Sequence, residues 1–467
     1  MDEHASAIDT AAAIRRKEVS PLEVLDACLA RVDARDPAVN AVIWRNDDEA
    51  RDEARALGER IASGADDLPP FAGVPVPVKD LVPVAGQPNT NGSWGTADGP
   101  MDVTELAPQA YRDAGFILCG RTNTPEFGSI SVTENLRFGA TRNPWDTGYS
   151  PGGSSGGAGA AVASGMFPAA YASDGGGSIR IPASCCGLVG HKPSRGRVPD
   201  LYPHWSGMST EGVVTRTVAD SAAILDVLSR RDRAAWWCPP VAERPFADEV
   251  GAEPGRLRVA VNTVSAMGVD VAPEPLAAVE AAVALLESLG HRVVRLDADL
   301  FDPAGLGDFL NLMNSGMAGY PGLDPERIEP HNRAALESAR ALDSLGYARS
   351  LAALQLQSRQ ILARFDDEFD LLVTPTMAIE PPAVGLLAQV HAQPEFPPME
   401  VVSMAAFTAL FNITGQPAVS LPLHVSPSGL PVGVQIVAGP WQDALLFRVA
   451  SQIESAAPWA DRYPFLS

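Results

Sequence analysis

Apolar positions recur along this chain at two spacings, helical and alternating, and the two kinds of segment are interleaved from end to end. Residues 5–16 have helical spacing. Ser20-Pro21-Leu22-Glu23 reads as a capping box with proline in the first turn, and Leu22, Leu25, Leu29 and Val32 then share one face of a helix to about Asp36. A charged helix covers about 46–63. The run PFAGVPVPVKDLVPVAG (70–86) is β-like, with prolines that place it near an edge or turn. Thr104 reads as the cap of a helix to about Ala114, 116–120 as a short strand, and 121–128 and 138–146 as loops. A small-residue helix and a short strand follow within 152–190. Thr217 begins a helix with Asp220 at the capping-box position. Beyond it the pattern predicts strands at 257–261, 291–296, 371–374, 418–423 and 431–437, the last two joined by the turn Ser426-Pro427-Ser428-Gly429. Helices are predicted at 273–289, 304–318, 325–366, 401–411 and 442–455. Without an internal repeat or a long linker, this alternation predicts one α/β domain over 1–467, a mixed, twisted central sheet flanked by helices.

Charge narrows the function classes. The 467 residues carry a formal net charge of −22, which repels nucleic acid and anionic membranes. No run of eighteen apolar residues suggests a membrane span, and MDEHASAIDTAAAIRRKEVS lacks the apolar centre of a secretion signal. The five cysteines, Cys28, Cys119, Cys185, Cys186 and Cys238, contain no C-x-x-C pair and read as free thiols of a cytoplasmic protein. No metal or organic cofactor is expected, and a homodimer is the default assembly.

The densest chemistry lies between Gly152 and Gly190. It opens with Gly152-Gly153-Ser154-Ser155-Gly156-Gly157 and ends on Asp174-Gly175-Gly176-Gly177-Ser178. A phosphate cradle would need a lysine after its last glycine, and none stands there. A dinucleotide fingerprint lacks both its register and its downstream acid. Gly152-Gly153-Ser154-Ser155-Gly156 satisfies G-x-S-x-G, but none of the seven histidines, His191 and His204 among them, has an evident catalytic context. A fourth reading uses both clusters. Successive glycines let backbone N–H groups converge on one point, as an oxyanion requires, and Ser178 follows them as a nucleophile. Its base would be Lys79, with Ser154 as a relay. A lysine acts as a base only when neutral, and burial among Val76, Val78, Leu81 and Val82 favours that form. The ordinary alternative is a lysine that snorkels to the surface.

VPVKDL around Lys79, GRTNTPEFG (120–128), FGATRNPWD (138–146), PGGSSGGAGAAVASG (151–165) and SDGGGSIRIPASCCGLVGHKPSRGRVP (173–199) together resemble the amidase signature family of serine hydrolases. FNITGQPAVSLPL (411–423) and GLPVGVQIVAG (429–439) resemble its C-terminal part. The resemblance spans nearly the whole chain except a variable middle. It implies a Ser–cis-Ser–Lys triad of Ser178 as acylated nucleophile, Ser154 as bridge after a cis peptide, and Lys79 as general base. It implies an oxyanion hole from the amides of Gly175, Gly176, Gly177 and Ser178, held by Ser155, Asp174 and Arg180. Residues 70–200 would form the catalytic core and 230–350 the substrate-determining region. Gly175 departs from the Thr or Ile common at its position, and His191 from an apolar residue.

The family further implies a small-molecule amide as partner. Phe127, Gly128, Ser129, Trp205, Trp237, Met313, Asn314 and Met317 are the candidate pocket residues, and their largely apolar character suits a small neutral aliphatic or aryl amide. PGRLRVAV (254–261) and the 120–199 core resemble the branch that hydrolyses cyclic or linear 6-aminohexanoate oligomers, which is one alternative. The A subunit of a tRNA-dependent amidotransferase and a catalytically silent scaffold are the others. No buried charge for binding a charged substrate is recognisable.

Overall fold

Three sheets organise this computed structural model, which describes residues 2–464 except 203, 297–299, 366 and 396. Strands β1 (Val42–Trp44), β2 (Pro75–Lys79) and β3 (Ile117–Thr122) form a small sheet with β3 central, antiparallel to β1 and parallel to β2. Strands β4 (Glu134–Asn135) and β5 (Gly139–Ala140) form a short antiparallel ribbon. The large sheet comprises β6 (Ala169–Asp174), β7 (Val189–Lys192), β8 (Thr210–Thr215), β9 (Arg258–Val261), β10 (Arg292–Arg295), β11 (Leu371–Pro375), β12 (Ala418–Val425) and β13 (Pro431–Ala438). Their order is β10-β9-β11-β13-β12-β7-β8-β6. β9 is parallel to both its neighbours and every other adjacent pair is antiparallel, so the sheet is mixed.

Every residue of β6, β11 and β13 is buried. Helices cover both faces, as near-continuous apolar strands demand. Val76, Val78 and Phe116 of the small-sheet region share one core with Tyr171, Val259, Leu371 and Val434 of the large sheet, so the two sheets belong to a single α/β domain. The helix Gly156–Ala163 is built only of glycine, alanine and valine and is buried on all sides. Such small side chains let neighbouring elements close directly onto its backbone.

Most expected elements are present, with instructive differences at their ends. The Ser20–Glu23 capping box forms in both directions, but its helix, Pro21–Val39, runs through Pro37 and stops at Asn40, whose φ is 56°. Thr104 is not a cap. The helix there is Leu106–Asp113, and Thr104 Oγ1 instead accepts the Ala85 amide at 3.0 Å. Thr217 does cap Val218–Leu228, but the Asp220 carboxylate turns away from that box. It accepts the amides of Ala7 (2.8 Å) and Ile8 (3.0 Å), closing the first turn of Ala7–Arg15 instead.

Two long expected helices are each broken. The 325–366 segment contains Pro330–Ala341 and Ser344–Leu362, divided where the Asp343 side chain accepts the Gly346 amide; position 366 lies outside the described residues. The 401–411 segment contains Met399–Ala405 and Ala409–Thr414, and at the break Thr408 Oγ1 donates to the Gly176 carbonyl at 2.6 Å. The apolar pattern does not distinguish helices Arg180–Cys186 and Leu386–Ala392 and strand β7 from loops.

Candidate active site

β2 delivers Lys79 to the interior. The strand is buried along its whole length, and the lysine at its end is 0% exposed. Its Nζ lies 2.8 Å from Ser154 Oγ, 3.1 Å from Ser173 Oγ and 3.5 Å from the Ser173 carbonyl. Among the described residues no carboxylate is within ion-pair distance of it. Burial pushes the ammonium down to about 7, against the opposing pull of the Glu211 and Asp174 charges. Ser154 follows a cis peptide from Gly153. The next residue, Ser155, donates its hydroxyl to the Ser173 carbonyl at 3.1 Å, tying the serine loop to β6.

The glycine loop hangs from Asp174 at the end of β6. The carboxylate accepts the amides of Gly177 (2.7 Å) and Ile179 (3.1 Å). It also takes Arg180 Nε and Nη2 at 2.9 and 2.8 Å, and Asn412 Nδ2 at 3.0 Å. Burial alone would raise this carboxyl, but the Arg180 charge and its hydrogen bonds hold it well below the usual carboxylate range. Arg180 in turn donates to Thr408 O, Gln435 Oε1 and Asn412 Oδ1 at 2.9, 2.6 and 2.6 Å. A φ of +131° at Gly177 turns its N–H inward onto Asp174. Gly177 therefore does not present its amide to the cavity, contrary to the expectation from sequence. Among the described residues, the N–H groups of Gly175, Gly176 and Ser178 have no acceptor.

Ser154 and Ser178 face one cavity of about 50 Å³. Its wall includes Leu81, Val82, Phe127, Gly128, Tyr171, Ser173, Gly175, Trp205, Glu211 and Tyr320. The Ser178 hydroxyl has no hydrogen-bond partner among the described residues, whereas that of Ser154 is committed to Lys79. Trp205 (φ 49°) lays its indole between two glycines. A Cβ on Gly175 would collide with its six-membered ring, and one on Gly316 would lie 2.7 Å from its Cδ1. The unusual glycine at 175 thus makes room for a tryptophan. Glu211, absent from the residues expected on sequence, accepts a hydrogen bond from the Tyr171 hydroxyl, and burial raises its carboxyl to about 7. Its place as the second residue of β8 carries no signal in the sequence, because only the pairing of β8 with β6 brings it toward Lys79.

Other expected pocket residues lie elsewhere. Ser129 commits its hydroxyl to the Glu126 carbonyl and His331. Met317 packs in a cluster with Phe127, Ile328 and Leu336. Met313 packs in the cluster that includes Trp205 but is outside the cavity wall, as is Asn314. Trp237 lines a separate cavity of about 350 Å³ with Arg197, Cys238 and Phe246, larger but containing none of the three serines or Lys79. His191 is buried, with its imidazole pushed down to about 4, and lies 3.7 Å from Asp443 rather than near the serines. His204 is on the cavity rim without an ion-pair partner among the described residues. The histidine-based reading of G-x-S-x-G therefore lacks its base and its acid. A single cluster of metal-type donors among the described residues, Glu329, His331 and His391, lies outside this cavity.

The amidase family model matches residues 23–447. The chain belongs to the amidase signature family. The 6-aminohexanoate-cyclic-dimer hydrolase of Pseudomonas sp. (strain NK87) is 38% identical over 97% of this chain and 95% of its own. The putative amidase AmiB2 of Mycobacterium tuberculosis (strain ATCC 25618 / H37Rv) is 38% identical over 95% and 94%. A solved structure of 6-aminohexanoate cyclic dimer hydrolase complexed with substrate superposes with a TM-score of 0.91 at 36% identity, covering 99% of each chain. A bacterial aryl acylamidase of the same family superposes at 0.89 and 29% identity, over 98% of this chain and 97% of its own. This amidase is a hydrolase that acts on amide carbon–nitrogen bonds other than peptide bonds. No described helix is long and apolar enough to cross a membrane.

Proposed function

We propose that this amidase cleaves a small neutral amide through an acyl-enzyme on Ser178, with Lys79 as base and Ser154 as relay. The observation that carries the reading is the Lys79 environment. A neutral amine has two N–H donors and one lone pair. The Ser173 carbonyl and hydroxyl accept the two donors, and the lone pair then faces the Ser154 hydroxyl at 2.8 Å. Ser154 hands its proton to Lys79 as it takes one from Ser178, and Ser178 attacks the amide carbon. The oxyanion falls to the free amides of Gly175, Gly176 and Ser178, while Gly177 holds the loop on Asp174. Protonated Lys79 returns its proton through Ser154 to the leaving nitrogen, and water releases the acid by the reverse route.

The apolar wall of Leu81, Val82, Phe127, Trp205 and Tyr320 suits an alkyl or aryl acyl group. The cavity is about 50 Å³, and Trp205 forms part of its wall. Residues 70–200 would then carry the chemistry, with Tyr320 as the variable middle's contribution to the cavity wall. Glu211 favours the second reading, cyclic or linear 6-aminohexanoate oligomers, because it gives the wall a carboxyl group that can receive a second amide N–H or a terminal ammonium. The relatives named for that activity support it as well. A cytoplasmic homodimer remains the expected setting, with all five cysteines unpaired.

Intact-mass spectrometry after fluorophosphonate treatment tests the nucleophile. One adduct in the wild type and none in Ser178→Ala is expected, and an unlabelled wild type refutes the mechanism. Hydrolysis rates on aryl anilides against the 6-aminohexanoate cyclic dimer then separate the two substrate readings.

A further inference from the structure

A cluster of one glutamate and two histidines lies beside the Glu126–Gly128 turn. Glu329 is at the N-cap of helix Pro330–Ala341, His331 is in its first turn, and His391 is near the end of helix Leu386–Ala392. Their donor atoms all lie within 4.8 Å of one another. Glu329 Oε2 is 3.1 Å from His391 Nε2 and 3.8 Å from His331 Nδ1. The two rings are close to parallel, 25° apart with centroids at 5.6 Å.

The hydrogen bonds around His331 fix what its ring presents. The Ser129 hydroxyl donates to the Glu126 carbonyl at 3.0 Å, so toward His331 Nε2, also at 3.0 Å, it acts as an acceptor. Nε2 therefore carries the N–H, and in the neutral ring Nδ1 carries a lone pair. That Nδ1 is buried and has no hydrogen-bond partner among the described residues, on a side chain only 7% exposed. It faces a carboxylate oxygen, another acceptor, across a gap too long for a hydrogen bond. Oε2 takes the His391 Nε2–H at 3.1 Å, which leaves the His331 Nδ1 lone pair as the buried acceptor without a donor, and a cation in place of that proton would satisfy all three atoms. Zinc does so at ordinary bond lengths. Ligand atoms about 2.0–2.2 Å from one ion in tetrahedral array are roughly 3.3–3.6 Å apart, a value bracketed by the separations 3.1 and 3.8 Å.

We propose that Glu329, His331 and His391 form a site for a divalent cation of the zinc class. Two imidazoles and one carboxylate are a donor set that zinc accepts, with the fourth position left to water. The surroundings are those of a built site. Glu329 Oε1 is oriented by the Leu136 amide at 2.7 Å. Ser129 fixes the tautomer of His331. Glu126 holds the Glu329 amide and Asn332 Nδ2, each at 2.8 Å. Such outer partners orient metal ligands. The His391 side chain, 18% exposed, gives the ion a way in. The cation would join two helices to the Glu126–Ser129 turn, whose Phe127 and Gly128 wall the catalytic cavity. Its role is structural, since none of its ligands lines that cavity.

The test uses the full chain, stripped with a chelator and titrated with Co²⁺ as a spectroscopic probe for zinc. The wild type should bind one Co²⁺ per chain with the intense visible bands of a tetrahedral site, and zinc should displace it. His391→Ala, at a partly exposed position that tolerates truncation, should weaken binding by more than about 100-fold, since loss of an outer partner alone costs about 10–100-fold. Glu329→Gln, which preserves volume, should do likewise, and Ser178→Ala should bind as the wild type does. Zinc should raise the melting temperature of the wild type and of Ser178→Ala, but not of His391→Ala. A wild type that takes up no stoichiometric Co²⁺, or a His391→Ala variant that binds it equally well, overturns the proposal.

Discussion

Replacing Lys79 with methionine should abolish hydrolysis and make the protein more stable at neutral pH. The side chains are similar in length, and the site is fully buried. Moving the amine from its ordinary 10.5 down to about 7 implies a cost of about 4 kcal/mol at pH 7 for holding a lysine there. Against this, the variant loses the contacts to Ser154 and Ser173, about 1 kcal/mol each. The net gain is about 2 kcal/mol, or about 2 °C in melting temperature if the unfolding entropy is about 2.1 cal/mol/K per residue. Its pH dependence identifies its origin. Above pH 7 and up to 10.5 the unfolded lysine is protonated while the folded one is mainly neutral, so wild-type stability rises relative to the variant, by up to about 1.4 kcal/mol per pH unit. The advantage of methionine should therefore shrink with rising pH and reverse near pH 9. Lys192, also pushed down to about 7 by burial, is common to both proteins and cancels in the difference. Paired thermal melts at pH 7, 8, 9 and 10 provide the measurement. A Lys79→Met variant that is less stable than the wild type at pH 7, or a difference that does not move with pH, would show that Lys79 is charged in the fold and refute its assignment as base.

The same lysine should set the pH profile: kcat/KM rises about tenfold from pH 6 to pH 8 with an inflection near 7, and Glu211→Gln, which removes the larger of the two charges that oppose burial, moves the inflection downward. An unshifted or raised inflection in that variant counts against Glu211. Trp205→Ala should lower KM for bulky aryl amides much more than for small aliphatic ones; equal effects on all substrates would mean that Trp205 does not limit the cavity. Asp174→Asn should destabilise the fold by about 3–5 kcal/mol, because it leaves Arg180 buried without its counter-charge, and calorimetry should show a loss well beyond that of a surface substitution.

The chemistry is legible in the chain because it is local. Ser154, Ser155 and Ser178 stand in glycine clusters whose backbone demands are written in sequence, and Lys79 is the only charge within the strand PVPVK. Helix starts are legible where the partner is three residues away, as at Ser20 and Glu23. They are not where the partner is distant: Asp220 has a fitting local role and serves a helix over two hundred residues away. The pocket is obscured for the same reason. Trp205 and Phe127 stand out by being aromatic, but nothing near Glu211 in the chain marks it as a neighbour of Lys79. Ser129 looks like a pocket residue until the fold brings in His331, 202 residues on, to claim its hydroxyl. Gly175 is the converse case, a visible departure whose meaning lies in Trp205 and emerges only when the fold joins them.

The arrangement also explains how a lysine stays neutral with two acids nearby. Either carboxylate, if free, would form an ion pair with Lys79 and stop it acting as a base. Neither is free. Asp174 is saturated by Arg180, Asn412 and loop amides, and its charge is answered by the guanidinium rather than by the lysine. Glu211 is bound by Tyr171 and raised by burial to about 7, so at neutral pH it is a carboxylate only part of the time. The buried Arg180 therefore matters beyond the loop it anchors. By answering Asp174 it leaves burial as the dominant influence on Lys79, and burial is what a base at this position needs. The Asp174–Arg180 pair holds the shape of the glycine loop, and the apolar strand around Lys79 is left to set its chemistry.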